Sequence, residues 1–146
     1  MALLGGSYSW GMPVIGGYVG NITSTYGSWA SYNTTYYRWA LPAAGTYELI
    51  AHLRVRAWGS TGFTKFRVLR ASDSNAFGGS DDVKMGFEQN NNPSQVNAQL
   101  AFRWDVNCSA ADTFYLQGRA MVTNTSNHSL QSDSNGRPEL FWRRLN

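Results

Sequence analysis

Strict alternation of apolar and polar residues along two long stretches is the feature that most constrains the fold. The stretch from Gln95 to Val106 carries apolar residues at every second position: Val96, Ala98, Leu100, Phe102, Trp104 and Val106. The stretch from Tyr47 to Ala57 does the same: Tyr47, Leu49, Ala51, Leu53, Val55 and Ala57. Because successive side chains of a β-strand point to opposite faces, this period of two predicts two long strands, each with one buried face.

Shorter stretches predict further strands. They are "TTYYRWA", "TKFRVLR", "TFYLQGRAMV" and the terminal "ELFWRRL", with "DVKMGF" as a short strand inside a long loop from Ser72 to Ser94. Turn-forming residues such as "NCSAAD" separate them, and no stretch repeats apolar residues with the spacing of an amphipathic helix. We therefore predict an all-β fold, an antiparallel β-sandwich of the jelly-roll kind.

The first 37 residues differ in composition from the rest of the chain. The first charged residue is Arg38, and everything before it is small, polar and uncharged, apolar or aromatic. Disordered tails are usually rich in charge and poor in aromatic residues. We therefore predict an N-terminal arm over residues 1–37 that lies on a protein surface, followed by the sandwich over residues 38–146.

Composition and charge narrow the class of protein. A chain of 146 residues with 42% hydrophobic residues can bury one core without metals or disulfides. The net charge of +3 is not concentrated in a basic run, which argues against nucleic acid as a partner, and the interrupted N-terminus predicts no membrane helix. Cys108 is predicted to be a buried thiol, and Asp73, Asp81 and Asp82 to be turn residues rather than calcium ligands. We expect no cofactor and no metal.

No constellation of residues predicts catalysis. The histidines are His52, on a long strand, and His128, in an Asn- and Ser-rich loop, and neither lies in a nucleophile motif. Two carboxylates could in principle hydrolyse a glycoside, but Glu48 and Glu139 are expected to pair with nearby arginines. We therefore predict that the protein is not an enzyme, with His52 as a bystander.

Aromatic residues, methionine and arginine at outward strand positions are typical of protein–protein interfaces. Trp104 alternates with core residues and is predicted to be buried, whereas Trp58 is out of phase with the core face of its strand. The predicted interface residues are Tyr8, Trp10, Tyr18, Tyr26, Trp29, Ile50, Arg54, Arg56, Trp58, Tyr115, Arg119, Met121, Phe141 and Arg143.

Three stretches carry a resemblance to a known family. They are "LPAAGTYELIAHLRV", "NAQLAFRWDVNCSAADTFYLQ" and the terminal "ELFWRRL". Together they resemble the tumour-necrosis-factor-like jelly roll, which is shared with the globular head of complement's first component and with many bacteriophage virion proteins. In that family a Gly-x-Tyr opens a long strand, as Gly45 and Tyr47 do here, and an Asp after a turn introduces an apolar strand, as Asp112 does.

This resemblance implies a compact homotrimer without enzymatic activity. We expect a structural virion protein, made in the host cytoplasm: a bacteriophage capsid decoration (cement) protein whose arm and outward strand faces bind the major capsid protein or other virion subunits. The alternative is a receptor- or carbohydrate-binding head of a tail fibre, which would use Trp58 and the loop from Ser72 to Ser94 to bind a host surface glycan.

Overall fold

The computed structural model contains only β-strands, turns and irregular segments in the part of the chain that it describes. The described residues are 10–11, 22–23, 29–32, 34–35, 37–57, 62–77, 84–89, 96–122, 128–130 and 138–146. The strands are β1 (Trp10–Gly11), β2 (Ile22–Thr23), β3 (Ala30–Ser31), β4 (Arg38–Leu41), β5 (Gly45–Ala57), β6 (Gly62–Arg70), β7 (Ala76–Phe77), β8 (Lys84–Gln89), β9 (Val96–Cys108), β10 (Asp112–Val122), β11 (His128–Leu130) and β12 (Glu139–Arg144). Within these ranges there is no helix long and apolar enough to cross a membrane.

The strands form two antiparallel sheets, here named sheet A and sheet B. In sheet A, β5 pairs with β9 along one side and with β12 and then β11 along the other, and β1 and β2 extend the sheet beyond them. In sheet B, β10 pairs with β6 on one side and with β4 and β3 on the other, while β7 and β8 pair with β6. Each sheet is thus built around two long neighbouring strands.

One apolar core fills the space between the two sheets. Sheet A contributes Leu49, Leu53, Trp104 and Trp142 among others, and sheet B contributes Trp39, Phe66 and Phe114. Rings from opposite sheets meet directly, with centroids 5.9 Å apart for Trp39 and Trp104. The indole of Trp39 also donates a buried hydrogen bond of 3.2 Å to the carbonyl of Ile50 in sheet A. These contacts make the two sheets a sandwich, as the sequence predicts.

The observed strands confirm the alternation-based predictions. The two long strands are β5 and β9, and Trp104 is 2% exposed, as predicted for the core face. Gly45 opens β5 and Asp112 opens β10. The fold is all-β and antiparallel, and the finer jelly-roll assignment stays a prediction.

Parts of the N-terminal arm pair with the sandwich of their own chain. β1 pairs with β12, β2 with β11 and β3 with β10. The amide of Tyr32 donates to the carbonyl of Leu116 in β10, and that of Leu116 to the carbonyl of Tyr37. Both tyrosine side chains belong to the core. The described arm residues therefore bind the molecule to which they belong, and those nearest the sandwich help to build its interior.

The close approach of the arm explains a glycine in β10. A Cβ added at Gly118 would lie 2.5 Å from Cζ and 2.7 Å from Cε2 of Tyr32, well inside van der Waals contact. Tyr32 is itself packed against the rings of Tyr37 and Phe66 and is 3% exposed. A residue without a side chain at position 118 is therefore needed for the arm to reach the core.

Candidate interaction surfaces

The predicted interface residues that the structure describes lie on both outer faces of the sandwich. Ile50, Arg54, Phe141 and Arg143 occupy outward positions of β5 and β12, a surface here named the sheet A face. Tyr115 and Arg119 occupy outward positions of β10, on the opposite side of the molecule, here named the sheet B face. A single partner contacting one face would therefore use only part of the predicted set.

Seven of the predicted interface residues have no described side chain. Tyr8, Tyr18, Tyr26 and Trp58 lie outside the described residues. For three others, the structure describes the backbone pairing alone: these are Trp10, which pairs with Arg143, Arg56, which pairs with Ser129 and Asn97, and Met121, which pairs with Phe63. The assignment of these residues to an interface stays a prediction.

Charges on the sheet A face are largely compensated within the chain. Glu48, only 7% exposed, lies at the centre of this group, with its carboxylate 2.7 Å from Arg143 and 3.3 Å from Arg103. This pairing confirms the prediction that Glu48 binds nearby arginines. Glu139 was expected to do the same, but its described partner is the imidazole of His52, 3.7 Å away. Ile50 is 8% exposed, so its side chain is already mostly covered within the monomer.

The sheet B face has a different electrostatic character. Arg38, Lys65, Arg67 and Arg119 occupy outward positions of three adjacent strands, β4, β10 and β6. Among the described outward side chains of this sheet, none is a carboxylate. The described side chains of β4, β10 and β6 on this face are therefore cationic, with the aromatic rings of Trp29 and Tyr115 beside the positive charges, while Glu88 of β8 pairs with Phe63 at an outward position.

Arg67 is held in a fixed geometry at the centre of the sheet B face. Its Nε donates to Oε1 of Gln117 at 2.8 Å, and Nε2 of Gln117 donates to the hydroxyl of Ser31 at 3.1 Å. The Arg67 guanidinium also lies 4.3 Å from the centroid of the Trp29 ring, within cation–π distance. The arm strand β3 and the residue before it therefore position an arginine of the sandwich.

Positive charges on this face repel one another. Burial, and then the charge of Arg119, lower the pKa of Arg67 from its usual value. The Nε of Arg119 is buried and has no hydrogen-bond partner among the described residues. An anionic group brought against this face would relieve the repulsion between Arg67 and Arg119.

A depression of about 450 Å³ opens on the sheet A face. Along β5, the described pairing with β12 ends at His52 and that with β11 begins at Val55. On the other side of β5, the small Ala101 stands opposite His52. The lining residues are His52, Leu53, Arg54, Gln99, Leu100, Ala101 and Glu139.

The thiol of Cys108 and the carboxylate of Asp73 do not form a binding or catalytic site among the described residues. Cys108 is a free, buried thiol whose pKa is raised by burial and by Asp112, with Arg70 acting in the opposite direction. Asp73 accepts hydrogen bonds from the Asn75 amide at 2.9 Å and from Arg70 at 3.2 Å, which is the behaviour of a turn residue. Asp81 and Asp82 lie outside the described residues.

Sequence reasoning missed the clustering around Arg67. The alternation in "TKFRVLR" places Lys65 and Arg67 on an outward face, but it does not say which strand lies next to them. The pairing of Arg67 with Gln117, and of Gln117 with Ser31, joins residues far apart in the chain. Only the strand order brings these residues together.

No protein-family model matches the chain, and no curated protein is significantly similar to it. Functional conclusions therefore rest on the residues and on their geometry.

Proposed function

We propose that this protein is a structural virion protein, a bacteriophage capsid decoration (cement) protein that acts as a homotrimer and binds other virion subunits. The observation that carries the interaction role is the sheet B face. This surface combines aromatic and arginine side chains, the residue types that contribute most binding energy in protein interfaces. The virion context is supported by the resemblance of the long strands to virion jelly rolls.

The sheet B face favours an acidic protein surface as the partner. The three arginines of this face, Arg38, Arg67 and Arg119, steer an acidic surface toward it and disfavour a basic one. Trp29 and Gln117 hold Arg67 in place before binding, which reduces the ordering entropy lost on association. The major capsid protein, or another virion subunit with an acidic patch, fits this description.

The arm has a second role in this proposal. Because β3 and Trp29 help to build the sheet B face, part of the arm acts by shaping the contact surface of its own chain. The remaining arm residues, including Tyr8 and Tyr18, are proposed to contact neighbouring subunits. The alternative is a tail-fibre head that binds glycans through Trp58 and the loop of residues 72–94; Trp58 and about half of that loop lie outside the described residues.

The deciding experiment is quantitative mass spectrometry of purified particles, combined with their reconstitution from variants. We expect hundreds of copies per particle, lost with Arg67→Ala together with Arg119→Ala and retained with Arg54→Ala together with Arg103→Ala, which makes the same charge change on the sheet A face. Absence from particles, or a handful of copies at the tail, would refute the decoration role. Binding of nucleic acid in place of a protein subunit would refute the proposed partner.

A further inference from the structure

The buried amide of Gln117 links the N-terminal arm to an arginine of the sandwich. Gln117 is only 6% exposed and uses both ends of its side chain: Oε1 accepts from Nε of Arg67 at 2.8 Å, and Nε2 donates to the hydroxyl of Ser31 at 3.1 Å. Because both ends are engaged, the amide keeps one orientation, with its oxygen toward Arg67. Ser31, in the arm strand β3, therefore helps to hold Arg67 through Gln117.

Arg67 is held close to a second guanidinium. Arg119 lies two residues along β10 from Gln117, the cross-strand partner of Arg67, so the two arginines are diagonal neighbours on one face. A long side chain that nothing held would turn away from a like charge into water. Arg67 is instead fastened by Gln117 and by the ring of Trp29, whose centroid is 4.3 Å from its guanidinium. Like charges kept together in this way are expected where a ligand of opposite charge binds.

The contacts that fasten Arg67 do not use its outer donors. The hydrogen bond to Gln117 comes from Nε, and Trp29 presents its ring to the guanidinium. The Nη1 and Nη2 groups form the fork that binds two oxygens of one anion in parallel. Arg119, partly exposed beside Arg67, supplies a second positive charge to the same anion. An oxyanion between the two guanidiniums replaces their repulsion by two attractions.

Neighbouring charges do not take the place of either arginine. Lys65 stands opposite Arg119 but already has an interaction of its own. The carboxylate position on β8, Glu88, pairs with Phe63, which lies four residues along β6 from Arg67, roughly 13 Å at the usual rise of a strand. Arg67 and Arg119 are therefore the two residues on which an anion site at this place depends.

We propose that Arg67 and Arg119 form a binding site for one oxyanion, and that the docked arm completes this site by holding Arg67 through Gln117 and Trp29. The natural ligand is then a carboxylate side chain of a virion subunit, and only this identity rests on the proposed decoration role. Such a site differs from general attraction by a positive face, because it requires two guanidiniums in a fixed geometry. Since coupling between binding events is reciprocal, the bound anion also stabilises the docked arm.

The test titrates the full chain, labelled with ¹⁵N, with sodium acetate and separately with sodium phosphate, while NMR follows the arginine Nε–H signals. Sodium chloride keeps the ionic strength constant. We expect saturable shifts of the Arg67 and Arg119 signals with both anions. Arg119→Ala should weaken binding about tenfold or more, through loss of a charge-assisted contact. Arg38→Ala removes the same charge from an exposed position of the same face, and should change the affinity less than about twofold.

A second pair of variants tests the part played by the arm. Ser31→Ala removes the acceptor of Gln117 Nε2 and loosens the amide that holds Arg67, so we expect binding to weaken several-fold. Ser31→Thr keeps a hydroxyl and should restore the affinity. Ser31 acts here as a positioning residue, because its hydroxyl contacts Gln117 and the anion is bound by the arginines. Circular dichroism checks that both variants are folded.

The outcomes separate this proposal from the decoration role. Absence of saturable shifts with either anion, or equal weakening by Arg38→Ala and Arg119→Ala, would overturn the site. Binding of phosphate without acetate would overturn a carboxylate as the natural ligand, and unchanged affinity in Ser31→Ala would overturn the role of the arm. Copy number in wild-type particles is measured independently, so the oxyanion site can fail in a protein that decorates capsids, and the decoration role can fail in a protein that binds the anion.

Discussion

Tyr37 carries its hydroxyl into the core, where the hydroxyl finds no hydrogen-bond partner among the described residues. A buried hydroxyl without a partner costs about 1–3 kcal/mol of desolvation. We expect Tyr37→Phe to raise the free energy of unfolding by about 1 kcal/mol, measured by urea denaturation with tryptophan fluorescence. The matched control is Tyr47→Phe, which should lose about 1 kcal/mol because its hydroxyl donates to the carbonyl of Ala43 at 3.0 Å. Equal losses in both variants would contradict the prediction.

The same residue should make stability fall at alkaline pH. Burial raises the pKa of Tyr37 well above its usual value, so the folded state keeps a proton that the unfolded chain releases near pH 10. The stability that the protonated phenol of Tyr37 contributes is therefore fully present below about pH 10 and declines as the pH rises further. Between pH 10 and 11 we expect the wild type to lose about 1 kcal/mol more than Tyr37→Phe. Parallel pH profiles of the two proteins would show that the phenol is not protected by burial.

Glu48 stabilises the fold through the two arginines that flank its carboxylate. Its carboxylate is almost buried between Arg103 and Arg143, whereas Asp105, its cross-strand partner, is exposed. We expect Glu48→Ala to cost about 2 kcal/mol, below the 3–5 kcal/mol of a fully buried pair because Arg103 is mostly exposed. Asp105→Ala, the control on the same face, should cost less than about 0.5 kcal/mol. Urea denaturation of both variants distinguishes the two values, and similar losses would refute the central role of Glu48.

At the scale of the elements, the sequence predicts strands better than it predicts their neighbours. Alternation marks the buried face of β5 and β9 because one face of each strand must leave water. The pairing of β10 with β6, β4 and β3 joins segments that are distant in the chain, and periodicity within a strand carries no information about it. The interior position of Tyr32 and Tyr37 was missed for the same reason, because the uncharged arm hides two core residues.

Truncation of the arm should therefore depend sharply on the point of cutting. Removal of residues 1–28 leaves β3 and the two core tyrosines in place, and we expect a folded sandwich. Removal of residues 1–37 deletes Tyr32 and Tyr37, and because burial of a large aromatic side chain contributes about 3–5 kcal/mol, the shorter protein should lose at least about 4 kcal/mol more. Thermal and urea denaturation measure the difference. Equal stability of the two truncations would support an arm that is independent of the sandwich.

For the whole molecule, the distribution of charge matters more than its sum. A net charge of +3 and the lack of a basic run gave no reason to expect a charged surface. The fold nevertheless gathers four cations on the sheet B face, while arginines on the sheet A face are offset by Glu48 and Glu139 or lie near them. Composition could not reveal this asymmetry, because it depends on which strand positions face outward from which sheet.

Cation-exchange chromatography of purified protein can detect this asymmetry without a partner. Arg67→Ala with Arg119→Ala, and Arg54→Ala with Arg103→Ala, both lower the formal net charge from +3 to +1. A charged resin responds to the most positive face, so we expect the sheet B pair to elute at clearly lower salt than the sheet A pair. Circular dichroism should first establish that both variants are folded, since Arg67 also contacts Trp29 and Gln117. If the two pairs elute together, the positive charge is spread evenly, and an acidic partner for the sheet B face loses its electrostatic basis.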